Sequence, residues 1–156
     1  MSIDERLAAI TAFEEQIADA EALSEELEGI DDPRHVPGVL AMFERNAEQD
    51  DFGVFHAYAN YLEQFDGARE VAGSTVGALI ADSVRRAPMW KTCEILGGFV
   101  RPEEAAQALL DALKKPELSK RGRECVKGGL KDVLEMSIDE VSAGTAASVR
   151  EALETK

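Results

Sequence analysis

The chain has 156 residues, 45% hydrophobic and 31% charged, with 31 acidic against 17 basic side chains and a formal net charge of −14. One domain's worth of chain with this apolar content can bury a real core, so global disorder is excluded. The sign of the charge argues against nucleic acid and anionic membrane surfaces, and the apolar runs are far too short to span a bilayer.

The first segment opens on Ser2-Ile3-Asp4-Glu5, a capping box in which Ser2 and Glu5 satisfy each other's amide donors. This acidic start has no basic n-region and no apolar h-region, so a secretory signal of ordinary type is not expected and the cytoplasm is the expected compartment. Ile3, Leu7, Ile10, Phe13, Ile17, Ala20, Leu23 and Leu27 recur at helical intervals and predict one long helix over 1–28. Its other face carries Glu14, Glu15, Asp19, Glu21, Glu25 and Glu26, so it repels itself and relies on its packed stripe. A Pro-flanked loop holding His35 follows, and Pro37 is expected to open a short helix through Val39, Leu40, Met42 and Phe43.

Asp51 is placed to cap a third, aromatic helix through Phe52, Phe55, Tyr58, Tyr61, Leu62 and Phe65. Helices are then expected through Val76–Val84, from Pro88 through Trp90 and Cys93 to Phe99, from Pro102 through Leu113, from Leu118 to Leu134, and from a second capping box at Ser137-Ile138-Asp139-Glu140 to Leu153. No stretch alternates as a strand does, so no sheet is expected. The prediction is a single all-α domain of seven or eight helices, with a long acidic helix at 1–28, helical hairpins over 37–135 and a last helix at 138–154. Helix starts pair at roughly 30 to 37 residues, a little short of HEAT or armadillo repeats, which favours irregular HEAT-like hairpins over a compact orthogonal bundle.

Chemistry is sparse. No His, Cys or carboxylate stands three or four positions from His56 to complete a helical metal pair. Gly67 to Thr75 has the wrong glycine spacing for a phosphate loop and no lysine, and Glu48-Gln49-Asp50-Asp51 lacks the EF-hand pattern. Cys93 and Cys125 read as reduced thiols in apolar helices rather than as a disulfide. No catalytic residue, cofactor or metal is expected. Gly97-Gly98 and Gly128-Gly129 read as points of close helix approach or local kinks.

What remains is surface. Residues 1–70 hold 18 Asp or Glu against 4 Lys or Arg, while 71–156 balance at 13 of each, so the whole excess lies in the N-terminal part. A basic partner would be steered toward it. The corner of Glu48, Asp50 and Asp51 beside Tyr58 and Tyr61 has the makings of an interface, since aromatic residues with a charged rim are common hot spots.

The segments Pro37-Gly38-Val39-Leu40-Ala41-Met42-Phe43, Asp50 through Phe55 with Tyr61-Leu62-Glu63-Gln64-Phe65, and Ala87-Pro88-Met89-Trp90 through Leu96 together resemble the helical immunity proteins of bacterial polymorphic-toxin and contact-dependent inhibition systems. The resemblance covers about residues 37–100. It implies a cytosolic protein that binds and blocks one cognate toxin, a basic one where the toxin is a nuclease. Glu48, Asp50, Asp51, Tyr58, Tyr61, Glu63 and Trp90 are the expected partner-binding residues. A HEAT-like adaptor or scaffold for another protein is the alternative.

Overall fold

The fold is that of a computed structural model, which describes residues 32–45, 59–71 and 73–155. The expected helix at 1–28 and the corner at 48–51 lie outside them. The described residues form α1 (Val36–Arg45), a helical segment at 59–63, a hairpin of β1 (Glu70–Val71) and β2 (Ser74–Thr75), then α2 (Val76–Arg86), α3 (Trp90–Ile95), α4 (Pro102–Leu113), α5 (Lys120–Met136) and α6 (Ala143–Glu154). Short 3₁₀ turns occupy Pro33–His35, Leu96–Gly98 and Ile138–Glu140. The domain is all-α apart from that hairpin.

Local chemistry explains most helix starts. Thr75 Oγ1 accepts the Ala78 amide at 3.0 Å and caps α2, and Ser119 Oγ accepts the Gly122 amide at 3.0 Å to cap α5. Pro102 stands at the first position of α4, with Glu103 and Glu104 in the turn where the helix dipole favours acids. One N-terminus differs from expectation: α1 begins at Val36, with Pro37 second, because Asp32 caps a preceding 3₁₀ turn through the Arg34 amide. His35 is thereby buried, its Nδ1 3.2 Å from the Asp32 carbonyl.

Helices in contact include both consecutive and next-but-one neighbours in the chain. α1 packs on α2, α2 on α4 and α4 on α6, while α3 packs on α5; α4–α5 and α5–α6 contacts join these two rows. This layered order is what stacked hairpins produce. The largest fully buried side chains, Leu62, Ile80, Leu96, Leu109 and Leu130, come from five different elements, so one core runs through the stack. Cys93 is buried and Cys125 half-buried, and neither is in a disulfide; burial pushes the Cys93 thiol well above its usual range.

Two further expectations are corrected. A sheet exists, though it is minimal: Glu70 faces Thr75 and Val71 faces Ser74 across a tight turn, where Gly73 takes φ +86°. Two-residue strands are too short to leave an alternation in the sequence, and a left-handed glycine is what closes them. The last helix does not start from Ser137 either. Ile138–Glu140 is a 3₁₀ turn, and Ser142 caps α6 by accepting the Thr145 amide at 3.1 Å.

The reason is tertiary. The Glu103 carboxylate, on α4, accepts the Ser142 amide at 2.8 Å and the Thr145 hydroxyl at 2.5 Å, with Gln107 at 3.2 Å. These donors, led by the Thr145 hydroxyl, hold the Glu103 carboxyl at about 2, below the 4.5 of a free side chain. A group with a depressed folded value lends stability that is complete above about 4.5 and is lost as pH falls toward 2. Glu103→Gln should therefore flatten the acid limb of a plot of denaturation midpoint against pH. An acid limb identical to that of the parent would remove Glu103 from this role.

Candidate protein-binding groove

The segment at 59–63 ends in a turn closed by the Phe65 amide on the Leu62 carbonyl at 3.1 Å. Asp66 then accepts the Ala68 amide at 2.8 Å, a local turn that holds its carboxylate at the surface. The Gly67 carbonyl accepts the Gly77 amide at 2.9 Å, tying this turn to the start of α2. The Phe99 carbonyl lies against both glycines: a Cβ on Gly67 would fall 2.3 Å from that oxygen and one on Gly77 2.4 Å from it. Three stretches of backbone thus meet with no room for a side chain, and they place Phe99 at the surface.

Around half-buried Phe99 the surface is concave. One depression of about 350 Å³ is lined by Glu63, Phe65, Glu94, Ile95, Gly98 and Phe99. A neighbouring one of about 470 Å³ shares Gly98 and Phe99 and continues past Asp66 to Arg101 and Glu104. Four exposed carboxylates, Glu63, Asp66, Glu94 and Glu104, therefore rim an apolar floor of Phe65, Ile95 and Phe99, with Arg101 as the basic residue lining it. The groove has the composition of an interface core with a charged rim and favours cationic ligands. Among the described residues no group of His, Cys, Asp or Glu could hold a metal ion. No described helix is long and apolar enough to cross a membrane.

The residues expected to bind a partner are distributed unevenly. Glu63 is exposed on the groove rim. Trp90 opens α3, one turn before Glu94, so its helix forms part of the groove wall, though its side chain lies outside the described atoms. Tyr61 is in the core and not at the surface: it is 3% exposed and packs edge-to-face on Phe65, ring centroids 5.4 Å apart. Tyr61 and Phe65 are one turn apart, so the stripe that buries Phe65 buries Tyr61 with it and leaves it beneath the groove floor. Burial, reinforced by the Asp32 charge, raises the phenol well above its usual range. Glu48, Asp50, Asp51 and Tyr58 lie outside the described residues.

Asp66, Glu94, Phe99 and Glu104 were not legible as a set. They belong to four segments that only the fold assembles. The available signal was the cluster of Gly67, Gly77, Gly97 and Gly98, and its meaning depends on which backbones meet there.

Fold and groove together define an all-α protein with an acidic, apolar-floored surface groove. No protein-family model, curated protein or solved structure gives a match to the chain.

Proposed function

We propose that this chain is a stoichiometric inhibitor, an immunity protein that neutralises a cognate basic bacterial toxin by direct binding rather than by catalysis. The observation that carries the reading is the groove at Phe99, where four carboxylates surround an apolar floor. Such a surface steers a basic protein in through its charge and retains it by burying aromatic area. The acidic excess of residues 1–70 acts in the same direction. Glu48, Asp50, Asp51 and Tyr58 belong to the same proposal as further partner-binding residues, on their residue types alone. A nuclease toxin presents a basic face for its nucleic acid, and an acidic inhibitor occupies that face.

Growth rescue is the direct test. Co-expression should protect cells from a toxin domain encoded beside this chain, and death at the uninhibited rate would reject the reading. Reversing Glu63 and Asp66 to lysine should slow association with that toxin roughly tenfold at low salt, with a smaller change in dissociation. An unaltered association rate would take the groove out of the interface. The second reading, an adaptor for another protein, draws on the two-row stack, whose extended faces suit scaffolding. It predicts complex formation without protection.

A further inference from the structure

Helix α5 carries a charge feature opposite in sign to the rest of the molecule. The helix itself holds five Lys or Arg against three acids, with Lys114, Lys115 and Glu117 just before it. Within α5, Lys120, Arg123, Lys127 and Lys131 recur at intervals of three, four and four, which puts them on one stripe of the helix. Val126, Leu130 and Val133, which seat α5, flank the stripe on one side, and Arg123 and Lys127 within it are half-buried. Glu124 and Glu135 border the stripe, and Lys131 reaches Glu135 at 3.9 Å. Lys127 donates to the Thr155 carbonyl. Among the described residues, Lys120 and Arg123 have no carboxylate within ion-pair distance.

A complementary stripe is written in the same sequence. Residues 1–28 contain nine Asp or Glu and one Arg. In the helix their pattern predicts, Glu21, Glu25 and Glu28 share a face at intervals of four and three. Laid antiparallel, that spacing mirrors α5, so Glu28 meets Lys120, Glu25 meets Arg123 and Glu21 meets Lys127 in one register.

A chain is poorly placed to dock its own stripe there. Three residues separate Glu28 from Asp32, four chain steps that span at most about 14 Å. Asp32 precedes α1 at one end of its row, whereas α5 lies in the other row against α4 and α6. The main contacts from α1 to α5 run through α2 and then α3 or α4, each helix-to-helix step being about 8–10 Å. A second molecule has no such constraint. We propose that α5 is the docking surface for the acidic N-terminal stretch of a second copy of this chain, the two copies exchanging residues 1–28 reciprocally about a two-fold axis. The pairing stands apart from the groove at Phe99 and does not rest on the toxin-neutralising reading.

Because the contact is made of surface charges, it is screened by salt over about 8 Å at physiological ionic strength. Sedimentation of the full chain should show a dimer at low salt whose dissociation constant rises roughly tenfold or more in high salt. The triple variant Lys120→Glu, Arg123→Glu, Lys127→Glu should be monomeric with unchanged far-UV circular dichroism. Glu21→Lys, Glu25→Lys, Glu28→Lys should also be monomeric, and it keeps the test intact if the first variant fails to fold. An equimolar mixture of the two should recover a dimer, since each restores opposite charges across the other. A monomer at every salt concentration would overturn the proposal. So would a dimer indifferent to both reversals, or a monomer whose residues 1–28 cross-link to its own α5.

Discussion

Replacing Gly77 with alanine is expected to cost about 3 kcal/mol of stability or more, with loss of the groove around Phe99. The added methyl would sit 2.4 Å from the Phe99 carbonyl oxygen and 2.9 Å from Val100 Cγ1. The first neighbour is backbone and cannot rotate away, as the end of a long side chain could. Moving it means opening the turn at Leu96–Gly98, whose Phe99 amide bonds the Leu96 carbonyl at 3.0 Å. Moving Gly77 instead breaks its 2.9 Å bond to Gly67. Either route gives up hydrogen bonds at a packed crossing, a large loss against a total stability of about 5–15 kcal/mol. Gly128, in the middle of α5 with open space beside it, is the control. Gly128→Ala should gain about 0.5–1 kcal/mol from helix propensity alone. Urea denaturation of both variants decides the matter, and equal midpoints for the two would refute the crossing.

Leu109→Ala is expected to cost about 3–5 kcal/mol, because Leu109 is 1% exposed and fills the contact of α4 with α5. Opposite it lies Gly129, whose added Cβ would stand 3.0 and 3.3 Å from the two Leu109 methyls. Those methyls are side-chain ends and can yield a few tenths of an ångström. Gly129→Ala alone should therefore change stability little, crowding offsetting a propensity gain of about 1 kcal/mol. In the Leu109→Ala background the crowding disappears and the methyl enters vacated space. The double variant should be about 1 kcal/mol more stable than the sum of the single changes requires. Strict additivity in a double-mutant cycle would show that the two positions do not meet.

These sites mark how far local pattern reaches. The all-α class and the helices through Val76–Val84, from Pro102 and up to Leu134 follow from apolar periodicity and proline position. Each is a property of neighbouring residues, so each was legible in the chain itself. The acidic excess of residues 1–70 was equally legible, because charge is additive and needs no fold.

Other features depend on contacts between residues far apart in the chain. Ser137-Ile138-Asp139-Glu140 has the letters of a capping box, yet α6 starts at Ser142 because Glu103, 39 residues earlier, binds the Ser142 amide. Tyr61 has a polar tip suited to an interface, yet Phe65 and the core above it take its ring. The hairpin at 70–75 and the groove rim exist because the backbones at Gly67, Gly77 and Phe99 meet. The sequence by itself determined which segments become helices and where the charge lies. Only the tertiary structure decided which helix ends, side chains and carboxylates share a surface, because those pairings depend on distance in space and not along the chain.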